Sequence, residues 1–165
     1  PDASRMILSG VNNLDGLSTS QTVVVILDEG ETLTINNCNL HGGIVVWAPN
    51  DYNLRDGARN VIEVTSSNVG TGSDPHIGLM APASQVGGSG GGLNFHGLCF
   101  WNSIHDLDGA HITGALIVIN EIVACDQLNL NGHPQTLANM PDGISFQGEG
   151  DGIDFLVAGE DYEED

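Results

Sequence analysis

The chain has 165 residues, 40% of them apolar and 5% aromatic, which fits one domain with a continuous core. Twenty-two acidic residues face three basic ones, Arg5, Arg55 and Arg59, and the formal charge of -19 leaves no basic patch to neutralise phosphate, which argues against nucleic acid or an anionic membrane as a partner. Cys38, Cys99 and Cys125 are an odd set without CxxC spacing, which argues against a disulfide framework and a zinc ribbon and leaves buried thiols or a single disulfide.

In chain order, residues 1–20 are rich in turn residues and lead into the β-branched run Thr22–Leu27, which reads as a buried strand. Asp28-Glu29-Gly30 turns the chain, Thr32–Ile35 alternates as a strand, Asn36-Asn37 makes a corner, and Ile44–Trp47 is a further strand. A polar loop at 51–59, a strand at Val61–Thr65 and a loop at Ser66–Pro75 follow before His76–Met80 re-enters the core. Gln85–Gly92 reads as a Gly-rich, flexible loop insertion. The strand and turn signal is densest over Leu93–Leu137, while Asn120–Gln127, the most helix-permissive stretch, is long enough for only one or two turns. A last strand is expected at Ile153–Val157, and Glu160–Asp165 reads as a disordered acidic tail. No apolar stretch is long enough to cross a bilayer, so no transmembrane helix is expected.

One frame recurs. Asn39-Leu40-His41-Gly42, Asn94-Phe95-His96-Gly97 and Asn129-Leu130-Asn131-Gly132 share the order Asn, apolar, His or Asn, Gly, and His111-Ile112-Thr113-Gly114 is a looser copy. The gaps between copies approach multiples of a unit of about 18, so the expected fold is all-β, a small parallel β-helix (β-solenoid) with room for about nine coils. Residues 1–159 form its single domain and 160–165 the tail. Glycine permits positive φ, and Asn can bond neighbouring backbone with its side chain, so Asn39, Gly42, Asn94, Gly97, Gly114, Asn129 and Gly132 are assigned to repeat corners, with the asparagines stacked as a ladder. The expected core includes Leu40, Ile44, Val46, Phe95, Leu98, Ile112, Leu116, Val118, Leu128 and Leu130.

Chemistry-bearing residues are few. His96, Cys99, His105, His111 and Cys125 could be gathered into a metal set, but strand alternation puts His96 and Cys99 on opposite faces. Glu149–Leu156 resembles one copy of the Gly-Gly-x-Gly-x-Asp calcium repeat, which makes Asp151 and Asp154 candidate calcium ligands. Calcium is the one cofactor considered. Asp106, Asp108, Glu121 and Asp126 could serve a polysaccharide-cleaving β-helix, yet small coils leave little room for a sugar groove and every arginine precedes residue 60. Neither a nucleophile elbow nor a phosphate loop is present in the sequence, so no catalytic residue is assigned and the chain is expected not to be an enzyme.

Ile77–Pro82, Gly92–Trp101, Ile112–Val118 and Leu128–Pro134 together resemble the C-terminal solenoid of PilX-type pilus-assembly proteins. The resemblance covers roughly residues 76–137 and implies a structural protein of the bacterial envelope or exterior, linked to type IV pili or a related filament. The expected function is therefore a non-enzymatic structural or interaction module of a bacterial cell-surface or pilus-type filament. Its expected partners are proteins of that assembly, including self-association through the solenoid ends. The alternative is a carbohydrate-binding or polysaccharide-cleaving β-helix, which should carry exposed aromatics along one face.

Overall fold

The computed structural model describes residues 5–48, 57–70 and 77–132. Every regular element among them is a strand: β1 (Arg5–Ser9), β2 (Asn13–Asp15), β3 (Ser18–Thr19), β4 (Thr22–Ile26), β5 (Thr32–Asn36), β6 (Asn39–Leu40), β7 (Ile44–Trp47), β8 (Asn60–Thr65), β9 (Asn68–Val69), β10 (Ile77–Gly88), β11 (Leu93–Asp108), β12 (Ala110–Val118), β13 (Cys125–Asp126) and β14 (Asn129–Gly132). All pairings are parallel, and each strand pairs with its equivalent one turn away. The result is a β-solenoid of about six turns, fewer than the nine expected. The short unit expected from the repeat is met where Arg5 pairs with Thr22 and Phe95 with Ile112, whereas the turn that brings Leu40 beside Val69 is much longer.

Three faces make up each turn. The first is β1, β4, β7, the start of β10, the middle of β11 and the end of β12. The second is β2, β5, β8, the end of β10, the end of β11 and β13, and the third is β3, β6, β9, the start of β11, the start of β12 and β14. Alternation drives one side of every strand inward. Val23 and Val25, Leu33 and Ile35, Ile62 and Val64, and Phe95 join one core that runs the length of the stack. Trp101 anchors it: the ring is fully buried, meets Phe95 edge to face at 5.4 Å, and its Nε1 donates to the Leu79 carbonyl at 3.0 Å.

The corners explain the rest. At the turn from second to third face, Gly16, Asn37, Ser66, Gly109 and Gln127 all take positive φ, each followed by an inward residue, Leu17, Cys38, Ser67, Ala110 or Leu128. At the turn from third to first face, Gly97 and Gly114 are in register with each other and Gly114 with Gly132. A Cβ on Gly114 would collide with the Gly97 backbone, which is why only glycine fits there.

Several expectations are corrected. Gln85–Gly88 is not a flexible insertion: it forms the end of β10, paired to both β8 and β11, and only the exposed Ser89–Gly92 turns. Gly88 is needed because a side chain would strike the Val64 backbone, and Gly87 fits closely against the Asp106 carbonyl and the Glu63 carboxylate. Asn68–Val69 is a strand inside the expected loop at Ser66–Pro75, and Asn120–Gln127, the most helix-permissive stretch of the sequence, contains β13. Leu98 is buried as expected, but in a second cluster with Ala115 and Ile117 on the outer side of the first face rather than in the main core, because the positive φ of Gly97 resets the alternation. Val118, Leu128 and Leu130 are only partly buried against the core. The tail at 160–165, the strand expected at Ile153–Val157 and the domain end at 159 lie outside the described residues.

Candidate functional site: polar ladders and an apolar face

The third face carries a column of stacked polar side chains. Ser18, Asn39, Asn68, Asn94, His111 and Asn129 are in register through successive turns. Within it the Asn68 Nδ2 donates to the Asn39 Oδ1 at 2.8 Å, and the Asn94 Nδ2 to the Asn68 Oδ1 at 2.8 Å. The amide is both donor and acceptor and the repeat is about 4.8 Å, so Asn68 bridges the turns on both sides of it. The structure thus brings Asn39, Asn94 and Asn129 into one column and adds Asn68, which lacks the following His or Asn and so escaped the repeat frame.

Two more ladders hold corners. Asn36 donates from Nδ2 to the Asp15 Oδ1 at 2.8 Å and accepts at Oδ1 from the Thr65 hydroxyl at 2.7 Å. Asn120 donates to the Asn102 Oδ1 at 2.9 Å, while the buried Asn102 amide donates to the Pro82 carbonyl at 3.2 Å. Asn68→Ala should therefore cost about 1–3 kcal/mol by removing two ladder bonds at once, read from the urea midpoint.

The acids expected for sugar chemistry meet only in part. Asp106 and Asp108 point outward from the second face, Asp126 is in register with Asp108 one turn away, and Glu121 precedes β13. Asp108 Oδ1 is buried without a hydrogen-bond partner. Stacked carboxylates repel where stacked amides bond, so Asp108→Asn should raise the melting temperature by converting this pair into a short ladder.

Among the described residues no three His, Cys, Asp or Glu side chains converge to hold a metal. Cys99 points into the core while His96 is on the outer side of the third face, and Asp151 and Asp154 lie outside the described residues. All three cysteines are free thiols. Burial pushes the Cys99 thiol up to about 12 and raises Cys38, and burial followed by the nearby Asp126 charge raises Cys125.

The Cys99 shift has a stability consequence. Below pH 9 the thiol is protonated in both folded and unfolded chains; between 9 and about 12 the unfolded chain loses a proton that the folded one keeps. Stability should thus fall as pH rises through that window, by on the order of 1 kcal/mol per pH unit from this group. Cys99→Ala should flatten the slope of chemical-denaturation stability against pH.

The first face presents the other distinctive surface. Its outward column reads Ile7, Val24, Val45, Met80, Phe100 and Ile117 through successive strands. Trp47, at the end of the strand expected over Ile44–Trp47, lies on this outer side in register with Ile26 and is 53% exposed. Among the described residues Arg5 is the only charged one in the strands of this face, on a chain whose charge is -19. Alternation within β4 and β7 was readable in sequence, but which apolar residues faced out depended on the corner register. No family model, curated protein or solved structure matches the chain.

Proposed function

We propose that the chain is a non-enzymatic structural and interaction module of a bacterial cell-surface or pilus-type filament, located in the envelope or outside the cell. The observation that carries this reading is the outward apolar column of the first face, nearly free of charge on an otherwise acidic chain and open at Ile7 and Trp47, since an exposed apolar patch in such a setting marks a contact site. The resemblance of residues 76–137 to PilX-type solenoids supports the filament setting. Protein partners of that assembly, including further copies meeting at the solenoid ends, fit a stack of parallel strands whose pairing pattern can continue from one chain into the next. Trp47 and Phe100 do share one face, as the carbohydrate alternative requires, but their neighbours there are aliphatic and offer no hydroxyl-binding groups.

Sedimentation velocity tests the reading. Like-charged rods repel, so end-to-end association should increase from about 0.05 to about 0.5 M salt as screening shortens the Debye length. A chain that stays monomeric throughout and releases reducing ends from polygalacturonate would replace this reading with the polysaccharide-cleaving one.

A further inference from the structure

The start of the first face is a small apolar strip with one acidic border. On its outer side Ile7, Val24 and Val45 form one column, and Ser9, Ile26 and Trp47 form the next, two residues along each strand. Ile7 is 66% and Trp47 53% exposed, and Met80 extends the first column by one turn. After Ile26 the Leu27 amide donates to the Trp47 carbonyl at 3.0 Å, and the chain turns through Asp28 and Glu29, both exposed, so an acidic turn borders the Trp47 side of the strip. Glu29 stands 3.9 Å from Arg59 with its side chain still 63% exposed. The opposite border has Arg5 in register with Thr22 and no acid among the described residues.

We infer that this strip docks a basic amphipathic helix of a partner protein, with the helix's apolar stripe over Ile7, Val24, Val45 and Trp47 and its cations on the Asp28 and Glu29 side. The inference rests on the contact-site reading of this face and adds the chemistry of the partner. Geometry selects a helix. The two outward columns lie about 7 Å apart and step along the stack by about 4.8 Å, which leaves a shallow valley parallel to the solenoid axis. A helix laid in that valley repeats its apolar stripe about every 5.4 Å, so about three of its turns cover the four strands from β1 to β10.

Charge selects the sign of the partner. The footprint of such a helix, on the order of 150–200 Å², is far below the roughly 800 Å² that each partner buries in a stable complex of folded proteins, so apolar contact alone is insufficient. A chain with a charge of -19 attracts a cationic segment and repels both an acidic one and a second copy of itself.

Titration of the full chain with a synthetic helical peptide, leucines at i, i+3, i+4 and i+7 and lysines elsewhere, tests the inference through tryptophan emission. Trp101 is fully buried, so a blue shift on docking reports Trp47. The shift should saturate. Affinity should fall at least tenfold in the double variant Val24→Ser/Val45→Ser, and at least tenfold between about 0.05 and about 0.5 M salt. Ile7→Ser, at the exposed edge, serves as a second probe if the double variant loses its far-UV circular dichroism, and should weaken binding roughly threefold. Absence of the shift would overturn the inference, as would binding unchanged by these substitutions. Equal binding of a peptide with serine in place of every leucine, or of one with glutamate in place of every lysine, would overturn it too. A Trp47 shift that grows with protein concentration in the absence of peptide would assign the strip to a second copy, ending this inference while leaving the filament reading in place. Peptide docking by a chain that stays monomeric in sedimentation at every salt concentration would do the reverse.

Discussion

Ile112→Asp should unfold the solenoid. The side chain is 1% exposed and flanked in its column by Phe95 on one turn and Leu130 on the next, neither of which offers anything to receive a carboxylate. An unpaired buried charge costs several kcal/mol, comparable to the whole stability of a domain this size. The adjacent His111 is exposed and faces the other way, so His111→Asp should keep the fold and lose no more than about 1 kcal/mol. Far-UV circular dichroism with thermal melting separates the two variants. Equal tolerance would sink the strand register, because the prediction depends only on which of two neighbours points inward.

Trp101→Ala has the second largest expected effect. Trp101 is the largest fully buried side chain, and truncation would open a cavity between Phe95 and the inward residues of the first face. The cavity and lost transfer energy together cost about 3–5 kcal/mol. The Leu79 carbonyl would also lose the indole donor. Trp101→Phe should recover much of the packing and leave the hydrogen bond missing, so the difference between the Phe and Ala variants in urea denaturation separates the two contributions. A loss below about 1 kcal/mol for Trp101→Ala would mean that the core does not close around this ring.

What sequence reading reached, and what it missed, follows from the physics of a coil. The frame Asn-apolar-x-Gly marks the third face because amide stacking and a glycine corner both demand particular residues, and these demands repeat with the turn. Asn68 is in the same ladder but is followed by Val69-Gly70, one residue short of the frame, so it was hidden. The corner from second to third face was hidden differently. Its requirement is conformational, a left-handed residue, and Gly16, Asn37, Ser66, Gly109 and Gln127 satisfy it with four residue types. A search for a polar residue, then Gly or Asn, then a small or apolar residue would have found Asp15-Gly16-Leu17, Asn36-Asn37-Cys38 and Asp108-Gly109-Ala110, but not Thr65-Ser66-Ser67 or Asp126-Gln127-Leu128, whose central residues do not favour the left-handed region.

The outer side of the first face was misread for a related reason. Apolar runs such as Ile44–Trp47 and Leu98–Trp101 contain residues for both sides of the strand, and periodicity cannot assign them when both sides are apolar. The Gly97 corner decides the phase. It turns Leu98 and Phe100 outward and Cys99 and Trp101 inward, a distinction invisible without the φ of Gly97. Gln85–Gly92 misled in the opposite direction, because a glycine run reads as flexible while here Gly88 is demanded by close approach to the Val64 backbone and Gly87 lies in the same paired strand.

Parallel stacking in register underlies the ladders and both faces, and a distance across the whole stack tests it most directly. Ser18 and Asn129 are both exposed, far apart in sequence, and linked through Asn39, Asn68, Asn94 and His111 by the successive steps of the ladder column. At roughly 4.8 Å per step their backbones should lie about 24 Å apart. Spin labels at these two positions, in a background with Cys38, Cys99 and Cys125 replaced, should give a single narrow distance near that value by pulsed electron resonance. A broad distribution, or a narrow one beyond about 40 Å, would contradict the solenoid register on which the ladders and both faces depend.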